Sequence, residues 1–241
     1  MSFWDHLDVL RGTLFRSAVC VVLISVVFFC FKSFLFDHII FAPARGDFFL
    51  YRWLKMPFEM TLINVDVTAQ FMAHMKISFA LGFIFSFPYI GYEVWKFIAP
   101  ALYEGEKKSF RSAFLGGGIL FYVGLAVGFY IILPLALHFF ITYSVSDVIH
   151  NTITLDSYIS LFNSTILAFG IVFEFPMVIV ILSGLGLVDR SMMRRYRKHA
   201  IVGILVVAAL VTPADPLSMF IAAIPLYLLY ELSVLLCKKK V

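Results

Sequence analysis

A single acidic residue stands in the middle of a long apolar stretch of this sequence. Glu174 lies within Phe-Gly-Ile-Val-Phe-Glu-Phe-Pro, and Pro176 follows it by two positions. An ionisable side chain at membrane depth costs several kcal/mol unless it is paired, hydrated or protonated. Glu174 is therefore either a neutral, hydrogen-bonded acid that braces a helix kink at Pro176, or a polar point on a cavity wall. We favour the cavity, since an acid within a span is by default a functional residue.

Two further carboxylates, Asp8 and Glu106, stand beside apolar runs that are rich in aromatic residues. Two carboxylates at separate points can each receive one guanidinium group through paired hydrogen bonds. The alternative is local pairing, of Asp8 with Arg11 and of Glu106 with Lys107 or Lys108. Such exposed pairs contribute at most about 1 kcal/mol, so an arginine of a ligand can displace them. Spacing alone favours the local pairing.

The sequence lacks the short motifs that mark common enzymes. It contains no HExxH, GxSxG or GxxxxGK[ST] pattern. The six histidines are scattered without the spacing of metal ligands, and the three cysteines form no CxxC pair. We therefore expect no enzymatic activity, no metal and no other cofactor.

The composition is that of an integral membrane protein. Of the 241 residues, 62% are hydrophobic and only 14% are charged, which is more apolar than a soluble domain. The apolar runs are long and unbroken, so spanning helices are expected rather than a spanning barrel. The net charge is +4 and the basic residues lie between apolar runs, so we expect no nucleic-acid partner. The sequence predicts one all-α polytopic membrane domain over residues 1–241.

Six apolar runs are predicted to cross the membrane, after an amphipathic interfacial helix over residues 1–13. The predicted spans are 14–36, 74–98, 112–140, 158–187, 200–212 and 217–237. Basic residues concentrate on the side that holds both termini, which predicts cytoplasmic termini. The fifth run provides only ~18 Å of helix against a core of ~30 Å. Either this short helix perturbs the membrane, or flanking residues complete an ordinary span.

Glycine and proline mark two further features of the runs. Gly124 and Gly128 form a GxxxG pattern, which permits close approach of another helix. Pro100 cannot continue a helix, so the second span is predicted to end near Ala99. The polar segment that follows, up to Arg111, carries several acidic and basic residues between two apolar runs.

Four segments of the chain resemble the TatC family, the polytopic core of the twin-arginine protein translocase. Residues 6–11, His-Leu-Asp-Val-Leu-Arg, are similar to the family's HLxELR opening. Residues 92–108, from Tyr-Glu-Val-Trp to Gly-Glu-Lys-Lys, are similar to its first cytoplasmic loop motif. Residues 173–176 match its FExP pattern, and residues 212–215 match its TPxD turn. The resemblance covers nearly the whole chain.

This resemblance implies a glove-shaped scaffold of six helices that binds the twin-arginine signal peptides of folded proteins. Such a receptor works with the single-span partners TatA and TatB, self-associates, and lies in the lipid of a bacterial inner membrane. The proton motive force, without ATP, drives export. The resemblance assigns signal-peptide binding to Asp8 and Glu106 together with their motif neighbours. It also implies an acid on the concave face and a set of residues that dock the partner subunits. The neighbours are Arg11, Tyr103 and Glu104; the concave-face acid is Glu174; the docking residues are Thr212, Asp215 and Met219.

Two residues depart from the family pattern. Asp8 supplies the acid of the opening motif one position before the family's glutamate, where this chain has Val9. Its side chain is one methylene shorter than glutamate, so its contact with an arginine shifts or passes through water. Met219 stands where a polar residue, often glutamine, helps to dock the partner helix. The partner contact of this chain is therefore expected to differ in detail.

Two other classes of protein compete with this interpretation. A secondary transporter or channel has broken helices around a midplane site, and prolines within the spans and Glu174 suit that class. Against it, the two halves of the chain show no repeat, and Glu174 is the one deep acid. An intramembrane enzyme needs a nucleophile and a base, and the sequence offers no such pair.

Overall fold

The protein is almost entirely helical over the residues that the structure describes. The computed structural model describes residues 3–101, 104–146, 151–212 and 216–237, with the backbone alone at residues 3–6, 101, 104–109 and 217. Its α-helices are α1 Phe3–Cys30, α2 Lys32–Phe34, α3 Phe49–Leu54, α4 Ala69–Ile98, α5 Glu104–Val127, α6 Leu133–Thr142, α7 Leu155–Val172, α8 Phe175–Gly184, α9 Arg190–Arg195, α10 Arg197–Val211 and α11 Pro216–Leu236. The other elements are π-helical Leu35–Ile40 and Gly128–Ile132, 3-10 Ala42–Ala44 and Ala99–Ala101, and the parallel strands β1 Leu62–Ile63 and β2 Ile153–Thr154.

Five helical segments within the described ranges are long and apolar enough to cross a membrane. They are Leu7–Cys30, Ala69–Ile98, Phe110–Thr142, Leu155–Gly184 and Ser218–Leu236. The predicted span 200–212 is α10, which has 15 residues. At 1.5 Å per residue α10 is about 22 Å long, shorter than a hydrocarbon core of about 30 Å. It does not lengthen, because Tyr196 separates it from α9 and Thr212 has extended backbone geometry (φ −91°, ψ 148°).

The amino-terminal helix differs from the sequence prediction. A separate interfacial helix over residues 1–13 is wrong for its described part, since α1 runs without a break from Phe3 to Cys30. The physical reason is that this stretch contains no proline, and Gly12 is its one glycine, so no residue breaks the helix before the apolar run. The helix also ends at Cys30, earlier than residue 36, and a π-helical segment follows.

The spanning helices alternate in direction along the chain. We call the end of the bundle at which α1 begins the Asp8 end. The end of α4 meets the start of α1 through Glu93 and Arg16, and the end of α8 meets the start of α5 through Gly184 and Phe110. The end of α11 likewise meets the start of α10. Hence α4, α8 and α11 end at the Asp8 end, and α5 and α10 begin there. A 3-10 turn at Ala99–Ala101 follows α4, which confirms the helix end predicted from Pro100.

The predicted span 158–187 is two helices rather than one. The chain turns at Phe173 and Glu174 between α7 and α8. Pro176 lies in the first turn of α8, where its missing N–H costs no helical hydrogen bond. The predicted kink is thus a break, and it places Glu174 at the junction.

The GxxxG pattern of α5 packs directly against α7. A Cβ atom built on Gly124 would lie 2.5 Å from the carbonyl oxygen of Phe169. A Cβ atom on Gly128 would lie 3.2 Å from Cα of Ile166. The close helix approach predicted from these two glycines is confirmed.

Two buried tyrosines hold the loops at the end of the bundle opposite Asp8. The Tyr51 hydroxyl lies 3.0 Å from the carbonyl oxygen of Pro43 and 3.1 Å from that of Pro134. Burial raises the pKa of the Tyr51 phenol, so it remains a donor. The Tyr158 hydroxyl donates to the carbonyl oxygen of Ile40. These hydrogen bonds fix the loops to α6 and α7 at this end of the bundle. The candidate site lies at the other end, near Asp8.

Candidate functional site

Asp8 is an exposed carboxylate near the start of α1. Arg11, one turn further along, is also exposed. The predicted local pair between them is not formed, since neither side chain takes part in the ion pairs of the described residues. The carboxylate of Asp8 is thus available to a ligand.

The register of α1 against α4 brings Asp8 level with the connection that follows α4. Ser25 of α1 meets Gly82 of α4, and Arg16 meets Glu93. Both helices rise by about 1.5 Å per residue and run in opposite directions. Continuing this register by eight residues places Asp8 beside the turn at Ala99–Ala101.

The other predicted acids of the site begin the next helix. Glu104 and Glu106 lie in the first turn of α5, where the helix dipole favours negative charge. Their side chains, and the whole of Tyr103, lie outside the described residues. The backbone of Glu106 therefore shares the Asp8 end of the bundle, five residues after the turn that is level with Asp8.

An ion pair that the sequence analysis missed lies close to this end. The Arg16 guanidinium donates from Nε and Nη2 to Oε2 of Glu93, at 3.0 Å and 2.7 Å. The Tyr89 hydroxyl donates to Oε1 of Glu93 at 3.3 Å. Glu93 is 3% exposed, so its charge is held inside the bundle by its partners. We call these three residues the α1–α4 clamp.

A second clamp of the same chemistry joins α10 to α11. Arg197 donates to Oε2 of Glu231 at 2.6 Å, and the Tyr227 hydroxyl donates to Oε1 at 3.1 Å. In both clamps a tyrosine stands one turn before the glutamate. That Tyr-x-x-x-Glu spacing, with an arginine at similar depth in another run, is the one sequence pattern that points to them.

Glu174 is buried but has no hydrogen-bond partner among the described residues. The residue is 9% exposed, and neither carboxylate oxygen has a partner among the described residues. A Cβ atom on Gly117 would lie 2.5 Å from Oε2 of Glu174, so α5 passes directly beside the acid. A hydrogen-bonded brace at Pro176 does not fit this arrangement.

A cavity of about 730 Å³ opens between α4, α5 and the start of α8. Aromatic and aliphatic side chains form most of its wall. Among the described lining residues Glu174 is the acid and Arg111 the base, and Tyr92 and Tyr122 add hydroxyls. Gly118 has no atom near its missing Cβ and widens the space. Glu174 thus lies on a cavity wall, as we expected from an acid within an apolar run, and does not brace the helix at Pro176.

Two of the predicted docking residues, Thr212 and Met219, lie where α10 meets α11. Thr212 is buried, and its hydroxyl donates to the carbonyl oxygen of Ala208 at 2.8 Å. Met219 is partly buried and packs against the apolar cluster that includes Ala222 and Leu226. Asp215 lies outside the described residues. Thr212 therefore hydrogen-bonds within the last turn of α10, and Met219 packs in the contact between α10 and α11.

Long apolar helices of alternating direction, with charged connections and a cavity between spans, define a multi-pass helical membrane protein. The family model of the Sec-independent protein translocase protein (TatC) matches residues 5–225. The Blattabacterium sp. subsp. Periplaneta americana (strain BPLAN) protein of that name is 34% identical, over 97% of this chain and 94% of its own. The Aquifex aeolicus (strain VF5) protein is 35% identical, over 99% and 95%.

Solved structures agree with these relatives. A crystal structure of the twin-arginine translocase receptor TatC in DDM has a TM-score of 0.78 at 34% identity. The match covers 97% of this chain and 99% of that one. The chain therefore belongs to the TatC family, and it is a core subunit of a Tat protein translocase.

Proposed function

We propose that this protein binds the twin-arginine signal peptides of folded proteins through Asp8 and Glu106. The observation that carries the proposal is the exposed Asp8, which forms no ion pair with any side chain that the structure describes and lies level with the α4–α5 connection. Consecutive arginines of an extended peptide point in different directions and need acceptors at two places. Asp8 and Glu106 stand on separate elements at one end of the bundle, which suits this need.

The recognition chemistry favours arginine over lysine. A guanidinium is planar and presents paired donors to a carboxylate, whereas an ammonium is a point charge. The exposed Arg11, with Tyr103 and Glu104 of the loop motif, completes the proposed surface. Asp8 has a short side chain, so Glu106 is expected to carry the larger share of binding.

The cavity beside Glu174 is proposed to give the receptor a polar point inside the membrane. Its unpaired carboxylate, on an otherwise mostly apolar wall, offers an acceptor to water or to a passing segment of a partner or passenger. The proposed role requires hydrogen-bonding capacity rather than a fixed contact. A small-solute transporter gains no support from the cavity, because its described wall is mostly apolar and carries one acid and one base, Glu174 and Arg111.

TatA and TatB are the proposed single-span partners, and the α10–α11 region is their proposed docking site. The 15-residue α10 is short for a span, so the bilayer beside it thins or neighbouring helices shelter it. Thr212 and Met219 stand at the junction of these helices, and Asp215 lies between them in the sequence. We further propose self-association, a bacterial inner-membrane location with cytoplasmic termini, and export driven by the proton motive force.

Crosslinking tests the proposed function. A twin-arginine signal peptide with a photoreactive residue beside the arginines is expected to crosslink to the receptor near residue 106. A peptide with two lysines in place of the arginines is the matched control and should crosslink less. Equal crosslinking by both peptides, or crosslinks confined to the opposite end of the bundle, would exclude this signal-binding surface.

A further inference from the structure

The α1–α4 clamp lies between the tightest contact of these helices and Asp8. At Gly82, a Cβ atom would lie 1.9 Å from Oγ of Ser25 and 2.8 Å from the carbonyl oxygen of Val21. The backbone of α4 at Gly82 therefore lies directly against the Ser25 side chain and the Val21 carbonyl of α1. Arg16 is nine residues from Ser25, or about 14 Å along the axis. The stacking of Phe29 on His74 holds α1 on the side of Ser25 away from Asp8. The clamp adds a polar contact on the Asp8 side, which opposes tilting of that end of α1.

The clamp is chemically suited to oppose that tilting. Each carboxylate oxygen of Glu93 has a donor, and Arg16 directs two donors to one oxygen. Moving α1 away would leave a buried carboxylate without its counter-charge, which is strongly unfavourable. Arg16 itself is 46% exposed in its side chain, so the buried partner sets the geometry.

Asp8 lies near the start of α1, far from the contact at Ser25. It is 17 residues from Ser25, or about 25 Å along α1 at 1.5 Å per residue. A pivot of about 10° at Ser25 would move Asp8 by roughly 4 Å over that length. Hydrogen bonds to carboxylates tolerate a spread of only about 0.5 Å between donor and acceptor. Two-point recognition by Asp8 and Glu106 therefore needs α1 to be fixed.

We propose that Arg16, Glu93 and Tyr89 are positioning residues for signal recognition, which fix Asp8 relative to the α4–α5 connection. This inference rests on the proposed function of Asp8 and Glu106. The clamp residues do not contact the peptide; they set the separation of the two acceptors. Discrimination between arginine and lysine depends on that separation, because only the planar fork needs aligned acceptors.

The second clamp provides a matched control. Glu231 has the same partners as Glu93, an arginine and a tyrosine one turn earlier, but it joins α10 to α11. Neither of those helices carries Asp8 or the α4–α5 connection. Glu93→Gln and Glu231→Gln therefore each remove the acid of an arginine–tyrosine clamp, although the Glu231 side chain is more exposed than that of Glu93, 27% against 4%. The inference predicts different consequences for signal recognition.

The test measures the affinity of the full-length, monodisperse receptor in nanodiscs for twin-arginine and twin-lysine peptides. Glu93→Gln is expected to lower the arginine-to-lysine affinity ratio by roughly fivefold to tenfold, and Arg16→Lys should lower it less. Glu231→Gln should leave the ratio within about twofold of the wild type, as for distant independent sites. The exchange Arg16→Glu with Glu93→Arg should recover part of the ratio. An unchanged ratio in both Glu93→Gln and Arg16→Lys would overturn the inference, as would an equal loss in Glu231→Gln.

A distance measurement separates positioning from general stability. Spin labels at Val9→Cys and Ser112→Cys, with the three native cysteines replaced, report the position of α1 relative to α5; both sites are exposed. Glu93→Gln should broaden their distance distribution, and Glu231→Gln should not.

If Asp8→Ala leaves peptide binding unchanged, the proposed function fails. If Asp8→Ala weakens binding while Glu93→Gln changes neither the ratio nor the distance, the inference alone fails.

Discussion

The Tyr122 hydroxyl of α5 donates to the carbonyl oxygen of Ile84 in α4, at 3.0 Å. Pro88 stands four residues after Ile84 and has no N–H, so this carbonyl lacks its helical partner. An unpaired carbonyl inside a membrane is costly. Tyr122 therefore explains how α4 remains helical through Pro88, and it ties α4 to α5 beside the cavity.

Tyr122→Phe is expected to destabilise the protein by about 1–2 kcal/mol, because a carbonyl loses its donor. The measurement is reversible unfolding in detergent or nanodiscs. Tyr130→Phe is the matched control, since the Tyr130 hydroxyl has no hydrogen bond among the described residues and its ring stacks on Phe48. An equal effect of the two changes would mean that the Tyr122–Ile84 bond contributes nothing.

Gly124→Ala is expected to separate α5 from α7. The added Cβ would lie 2.5 Å from the carbonyl oxygen of Phe169, and overpacking of this kind costs about 1–3 kcal/mol. Gly116→Ala on the same helix meets no atom within 4 Å and should be neutral or slightly stabilising, since alanine favours helix. Thermal unfolding of both variants checks the prediction, which fails if Gly124→Ala is as stable as Gly116→Ala.

Two replacements of Glu174 test whether its hydrogen-bonding capacity or only its size matters for export. Glu174→Gln keeps an acceptor on the cavity wall and is expected to retain substantial export of a twin-arginine passenger. Glu174→Leu makes that wall apolar and should lose much of the export. The readout is the exported fraction at matched receptor abundance. Export by Glu174→Leu at the wild-type rate would eliminate a cavity role for this residue.

Thiol labelling of single-cysteine variants tests the predicted topology. Asp47 and Arg195 are both exposed, and the distribution of basic residues predicts opposite sides of the membrane for them. An impermeant reagent added outside intact cells should label Asp47→Cys, and it should reach Arg195→Cys only after permeabilisation. The reverse pattern would invert the orientation of the whole chain.

Local sequence patterns predicted part of this architecture. Runs of apolar residues indicated the spanning helices, Pro100 marked the end of α4, and Gly124 with Gly128 marked the close contact with α7. These features depend on residues that are near one another in sequence. Each is a property of one helix or of its surface.

Features that depend on the rotation of one helix against another were not predictable in this way. Arg16 and Glu93 are 77 residues apart, and only the packing of α1 on α4 shows that they meet. The unpaired state of Asp8 likewise depends on side-chain direction rather than on its spacing from Arg11. The continuous α1 was missed because amphipathic periodicity does not distinguish a separate interfacial helix from the first turns of a span.

The most direct test of the account is the affinity of a twin-arginine signal peptide for acceptor variants of the full-length receptor in nanodiscs. Hydrogen bonds to charged groups contribute about 1.5–3 kcal/mol, so Glu106→Ala should weaken binding roughly tenfold to a hundredfold, less any loss to solvent screening. Asp8→Ala should have a smaller effect and Asp8→Glu should be tolerated, with all affinities compared at two salt concentrations. Unchanged affinity in the Asp8→Ala, Glu106→Ala double variant would contradict the account, because the arginines would then be bound elsewhere.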